Sequence, residues 1–259
     1  MYFSPTKKGV TVVDLKNAEA IETHFWQTNP DLSPGADSID NILNKASEAR
    51  IFLEKYRAYR SYFSGASTIL ELGGGQGWAS CLVKRFHPEA EITSTDLSEV
   101  AIQGSTMWGR IFGAKPDRIR ACRAYQTGFE DNSYQLIFAF AAAHHFRKYG
   151  RSMAEISRIL APGGVALFFH EPTCPEYIYK AAFASVNKRH PAVPEDVLVR
   201  SRLERLAKEN NLSIRFDLAP TLTNRVGLAT VYFYFLGKIR FLSKLLPCSA
   251  DIVIQKPHV

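Results

Sequence analysis

The sequence has few cysteines. Four occur in 259 residues, and Cys81, Cys122, Cys174 and Cys248 stand far apart with no CxxC pair. This argues against a disulfide framework or a cysteine-held zinc site, and reduced thiols are the expectation. Blocks of like charge are also missing: 32 Lys and Arg face 25 Asp and Glu, a net charge of +7, yet no run of five like charges occurs. The balance fits a solvated basic surface, or a small anionic ligand, better than a nucleic-acid-binding tail. No apolar run is long enough to cross a bilayer. The most lipid-like stretch, VGLATVYFYFLG at 226–237, ends at Lys238, and the opening MYFSPTKKGV has no apolar core of signal-peptide type. No repeat or low-complexity tract is visible. The expectation is a soluble, cytoplasmic protein with no integral membrane segment.

What is present is ordinary globular material, 46% hydrophobic and 22% charged, enough for one large domain with additions. Residues 14–64 read as helical. Within them Ile39, Ile42, Leu43, Ala46, Ala49, Phe52, Leu53 and Tyr56 recur at helical spacing behind an N-cap at Asp37 or Ser38. From residue 67 the period changes. TILEL, EITSTD, a weak strand near 120, YQLIFAF and GVALFFHEP alternate with helical stretches such as WASCLVKRF and MAEISRIL. Strands alternating with helices predict βαβ units around a parallel sheet. Residues 173–194 read as mostly irregular, EDVLVRSRLERLAKENN as a helix, SIRFDL and ADIVIQK as strands, and 219–249 as an aromatic insertion between those strands. The predicted fold is α/β and Rossmann-like: a doubly wound, mostly parallel sheet with an antiparallel final strand. A helical N-terminal lid at 1–66 precedes a core at 67–259, which carries pocket insertions at 173–194 and 219–249.

The stretch TILELGGGQGWAS at 68–80 carries the chemistry. Glycines at a strand end let the backbone turn sharply and approach a ligand, while the next helix presents free N–H groups. A dinucleotide fingerprint would want a small residue where Trp78 stands. Glu71, two residues before the first glycine, would repel a diphosphate but suit a cationic ligand.

ILELGGGQGWA resembles the first motif of class I S-adenosylmethionine-dependent methyltransferases. ITSTDLS resembles the family's second strand, with Asp96 19 residues after Gly77. FEDNSYQLIFAFAAAHHF resembles the fourth-strand segment, and EISRILAPGGVALFFHEP the helix, turn and fifth strand of the small-molecule branch. The resemblance covers 67–172 well and 250–256 more loosely. It implies S-adenosyl-L-methionine as cofactor, with Gly73, Gly75 and Gly77 shaping its loop, Glu71 orienting the methionine part, Asp96 accepting from the ribose and Leu97 beside the adenine. This branch usually carries an acid near position 123; here Arg123 stands there, and no carboxylate occurs between Ala121 and Gly128. Stacking by Tyr125 or backbone contacts are then the expected means of holding adenine, and a descendant that binds without turnover stays open.

His144 and His145, following the fourth strand, are the candidate catalytic bases, because imidazole titrates near neutrality. His145 is favoured; His170 and Glu171 at the end of the fifth strand compete. AAHH at 142–145 replaces the Asn/Asp-Pro-Pro-Tyr motif of methyltransferases acting on amino groups of bases. The expected function is O-methylation of a hydroxyl on a sugar, polyketide or phenolic small molecule, with N-methylation of a small amine or amino sugar as the alternative. No resident metal is predicted and no nucleic-acid partner. His24, Phe25 and Trp26 would contribute to the lid, and Arg189, His190 and Arg225 are candidate anion contacts. The segment TVYFYFLGKIRFLSKLL is expected to be a buried or dimer-forming helix pair rather than a membrane-surface helix.

Overall fold

The computed structural model describes residues 17–29, 38–146, 148–189, 193–223 and 225–258. Three helices precede the sheet: α1 (Ala18–Thr28), α2 (Ile39–Ala58) and α3 (Arg60–Ser64). Among the described residues eight strands form one sheet: β1 (Thr68–Leu72), β2 (Glu91–Asp96), β3 (Arg118–Ala121), β4 (Tyr134–Phe140), β5 (Leu160–Cys174), β6 (Leu198–Val199), β7 (Ser213–Leu218) and β8 (Cys248–Gln255). Their order is β3-β2-β1-β4-β5-β8-β7, with β6 paired to the end of β5. Pairings from β3 through β5 are parallel, and β8 runs antiparallel to both β5 and β7. The mostly parallel, doubly wound sheet with an antiparallel final strand is therefore present.

The central strands β1 and β4 are largely apolar on both faces because both faces are covered. Leu70 and Leu72 face a core that includes Met153 and Ile156 of α7 (Tyr149–Ile159) and Leu203 and Ala207 of α9 (Arg200–Glu209). Ile69, one residue out of phase, faces Phe52, Tyr56, Phe63, Trp78 and Trp108 on the other side. That side is covered by α2, α3, α4 (Trp78–Phe86) and α6 (Ser105–Phe112), with the short α5 (Glu99–Ile102) ahead of α6. Ligand crevices in such sheets lie at the carboxyl ends of the strands, where the order reverses, here between β1 and β4.

Three readings of the sequence need correction. The apolar stripe of α2 is core only in its second half: Ile39 and Leu43 are 73% and 63% exposed, while Asn41 is fully buried. Asn41 Nδ2 donates to Gln76 Oε1 and Gln76 Nε2 donates back to Asn41 Oδ1, so a polar pair, not the stripe, seats the start of the helix. The N-cap is Ser38, whose hydroxyl accepts from the Asn41 N–H. Second, residues 173–194 are not mostly irregular. β5 runs on to Cys174, and a 3-10 turn (Glu176–Ile178) leads into α8 (Tyr179–Arg189). Third, α9 begins only at Arg200, because Leu198 and Val199 pair with Thr173 and Cys174 as β6.

The segment expected as a lid divides in two. α2 and α3 are sunk in the core through Phe52 and Phe63, both fully buried, while α1 brings Glu19, Glu22 and Trp26 to the spaces at the strand ends. The aromatic insertion folds as α10 (Leu228–Lys238) and α11 (Arg240–Leu245). Among the described residues no helix is long and apolar enough to cross a membrane.

Candidate active site

The glycine-rich loop leaves β1 with Gly73, Gly75 and Gly77 all at positive φ. At Gly73 this is obligatory twice over, since φ is +69° and a Cβ would stand 2.8 Å from the Ala142 Cβ. The Gly75 N–H donates to Asp96 Oδ2 at 2.8 Å, and the Ser98 N–H donates to Asp96 Oδ1 at 2.8 Å. The second strand's acid is thereby fixed against the loop while each oxygen keeps a lone pair for a ligand hydroxyl. Burial pushes the Asp96 carboxyl up, opposed by these N–H groups. Glu71 is buried beneath the loop and accepts hydroxyl protons from Ser80 and, at 2.7 Å, Ser94. Burial raises its carboxyl too, with the two serines opposing. A nearby cation would draw both carboxyls back toward the ionised form.

Leu97 and Tyr125 line a narrow cleft with Asp96, Cys122 and Ala124, and α1 covers it. Here the structure brings in Glu19. Arg123 Nε donates to Glu19 Oε2 at 3.0 Å and the Tyr125 hydroxyl donates to Glu19 Oε1 at 3.0 Å. Lys148 lies 4.3 Å above the Tyr125 ring. A carboxylate, absent from 121–128 in the sequence, thus reaches this cleft from the N-terminal helix. Trp26 of α1 covers the loop itself: a Cβ on Gly75 would meet its ring at 3.6 Å. Phe25 packs edge-on against Trp26, and His24 is exposed.

A larger cavity of about 390 Å³ adjoins the cleft, lined among others by Glu71, Gly73, Trp26, His145, His170 and Arg225. His145 lines both spaces. Its Nδ1 lies 3.8 Å from Glu22 and its Nε2 3.8 Å from Glu195. His144 lines neither. It is 5% exposed, with Nδ1 2.8 Å from Glu171 and Nε2 2.8 Å from Glu195. Glu171, fully buried, also accepts the backbone N–H groups of Ala142, Ala143 and His144. Burial alone would lower the His144 pKa; the two carboxylates outweigh it and raise it to about 10. His144 is therefore a cationic brace under the loop that presents His145. The pair and Glu195 each bring a ligand-type atom within 4.8 Å of the others, but a divalent ion would have to displace the proton that makes His144 a cation.

His170 lines the larger cavity as a neutral ring. Burial, then Lys55 and Arg225, push its pKa down to about 4. Its ring stacks on Phe140, and its Nδ1 has no hydrogen-bond partner among the described residues. His170 (φ 61°) and Ala141 (φ 48°) sit in the left-handed region although neither is glycine, and both line this cavity. Such backbone strain, about 1–3 kcal/mol per residue, concentrates where geometry matters for function.

Sequence reasoning missed Glu19, Glu22, Glu195 and Gln76. The three acids sit on segments remote from the motifs and offered no signal. Gln76, inside the motif, could have been suspected: its amide holds Asn41 and accepts from Trp108 Nε1 at 2.8 Å. The Arg189 side chain and His190 lie outside the described residues.

The Methyltransf_11 profile, described as a methyltransferase domain, matches residues 70–168. A phthiotriol/phenolphthiotriol dimycocerosates methyltransferase of Mycobacterium tuberculosis is 31% identical over 120 residues, 43% of each chain, so the match spans less than half of that relative. A Mycobacterium ulcerans protein of the same name, with the number 1, is 33% identical over 185 residues, covering 65% of this chain and 66% of that one. A solved structure from Galdieria sulphuraria, assigned as a sarcosine dimethylglycine methyltransferase, superposes with TM-score 0.60 at 15% identity over 93% of this chain and 99% of its own. That last likeness speaks for the fold. With the glycine loop and its two buried acids in place, residues 70–168 form a methyltransferase domain of the class I S-adenosylmethionine-dependent, small-molecule type, with S-adenosylmethionine as cofactor.

Proposed function

We propose that the chain methylates a hydroxyl of a small molecule, a sugar, polyketide or phenol rather than a nucleic acid, with His145 receiving the acceptor's proton. The observation that carries this reading is the position of His145 on the wall shared by the cofactor cleft and the larger cavity. The relatives' names point the same way, since phthiotriol denotes a triol.

When bound, S-adenosylmethionine supplies a methyl group already activated on a sulfonium. The residues fit it: the loop approaches without side chains, Asp96 has lone pairs for ribose hydroxyls, Glu71 offers negative charge, and Leu97 and Tyr125 flank the place for adenine. The remaining work is alignment and exclusion of water. Trp26 and Phe140 wall the cavity, and the neutral His170 ring forms part of its lining. Glu22 and Glu195, beside the two nitrogens of His145, stabilise the imidazolium that forms when it takes the proton. His144 and Glu171 act through position, holding Glu195 and the 142–144 backbone.

A small amine is the second acceptor class, favoured by the carboxylates of Glu22 and Glu48 on the cavity wall. A methyl-release assay over a panel of hydroxylated and aminated acceptors tests the assignment. Turnover confined to amines would displace the hydroxyl reading.

A further inference from the structure

A second cavity, of about 470 Å³, has no part in the reading above. Ile178, Ala182 and Val186, at successive helical turns, form one wall; Val197, Ala229 and Tyr232 form others. Arg225 lines this cavity and the methyl-transfer cavity alike. Its guanidinium lies 3.8 Å from the centre of the Phe233 ring, and Nη2 donates to Ser249 Oγ at 3.3 Å. A hydrocarbon-walled space with a cation at its junction to a polar site has the shape of an amphiphile, with the chain on one side of Arg225 and the polar end on the other.

The outer surface of the same insertion is apolar. Val226, Leu228, Val231, Phe235, Ile239 and Phe241 are between 48% and 89% exposed, and the inward side of α10 meets the cavity through Ala229, Tyr232 and Phe233. Residues 219–250 contain Arg225, Lys238, Arg240 and Lys244 but no Asp or Glu. Of the expected buried or dimer-forming helix pair, the fully buried form is not found: one side of α10 seals a cavity and the other is open. An apolar helix face whose own segment carries only cations is complementary to anionic lipid headgroups over an acyl layer.

We propose that α10 and α11 lie on an anionic lipid surface and admit the chain of an amphiphilic acceptor into the cavity behind Arg225. The acceptor's reactive group then reaches the space lined by His145 and His170. The acceptor chemistry rests on the methyltransferase reading; the surface contact does not.

Co-sedimentation of the full chain with vesicles tests the proposal. Vesicles of equal parts phosphatidylcholine and phosphatidylglycerol should hold at least about ten-fold more protein than phosphatidylcholine alone, and salt should release it. The double variant Leu228→Asp with Phe241→Asp should lose that partition about ten-fold while keeping its affinity for S-adenosylhomocysteine, which reports folding. Ala182→Trp, filling the cavity, should abolish saturable binding of the fluorescent fatty acid cis-parinaric acid and leave vesicle binding intact. Equal partition into both vesicle types, vesicle binding by the double variant, or unchanged parinaric acid binding by Ala182→Trp would overturn it. So would a dimer that the double variant dissolves, without vesicle binding, since the face would then belong to a second copy. Failure of the parent chain to bind S-adenosylhomocysteine would sink the methyltransferase reading instead and leave the vesicle result to be judged by itself.

Discussion

Arg123 Nε donates to Glu19 Oε2 at 3.0 Å, joining two residues 104 positions apart. Arg123 occupies the place where an acid is usual in the family, and it recruits one. If the recruited carboxylate and α1 complete the adenine cleft, Glu19→Ala should weaken S-adenosylhomocysteine binding by about three- to ten-fold, as expected for one charge-assisted hydrogen bond at a half-open site. Arg123→Ala should do nearly the same, and the double variant no worse than either. Additive losses by calorimetry would show that the two act separately.

The acid of the second strand should matter more. Asp96 is buried, tied to Gly75 and Ser98, and its carboxyl is pushed up by burial. Asp96→Ala removes both the loop anchor and the expected ribose contact. A loss of cofactor affinity of about 10- to 100-fold follows from the worth of charged hydrogen bonds. An affinity within a factor of two of the parent would displace Asp96 from the cofactor.

The histidines should separate in kinetics. His145→Ala should lower kcat by about 10²- to 10⁴-fold, the range for a positioned general base, with cofactor affinity preserved. For an amine acceptor that is already neutral the drop should be much smaller. His144→Gln is expected to lower kcat less and to lower the melting temperature, because it leaves Glu171 and Glu195 without their shared cation.

Two histidines shape the pH dependence of stability from opposite sides of pH 6.5. The folded pKa of His144 lies above its ordinary 6.5, at about 10, so its contribution is fully present below pH 6.5 and is lost as pH rises toward 10. His170 has the opposite sign: its folded value of about 4 means that stability present above pH 6.5 is lost as pH falls toward 4. Urea unfolding across this range should show His144→Gln flattening only the alkaline limb and His170→Gln only the acidic one.

Phe52 ties the N-terminal segment to the sheet. It is fully buried, with its ring about 6 Å from those of Trp78, Phe138, Phe140 and Phe169. Phe52→Ala should cost about 3–5 kcal/mol, the range for emptying such a site. A cost below about 1 kcal/mol would mean that α2 is a dispensable cover rather than part of the core.

Much of the fold was legible because parallel strands buried on both faces are largely apolar runs, as in TILEL and YQLIFAF. The first turn betrayed itself through Gly73, at positive φ, whereas Gly163, read as part of a turn, lies inside β5 where the pairing with β4 shifts register. Residues 173–194 misled because prolines at 172, 175, 191 and 194 bracket a helix without breaking it. The stripe at Ile39 and Leu43 misled because periodicity names a face without saying what covers it.

By itself the sequence determined the sheet, the glycine loop and the acids beside it, since each follows from local rules: short apolar runs alternating with helical patterns, a backbone turn that needs glycine, a carboxylate at a strand end. Only the tertiary structure decided that Glu19 answers Arg123, that His144 is clamped between Glu171 and Glu195 while His145 faces the cavity, and that Arg225 joins two cavities. Those pairings link residues up to about a hundred positions apart in the chain, and nothing in the local pattern of either partner encodes the distance between them.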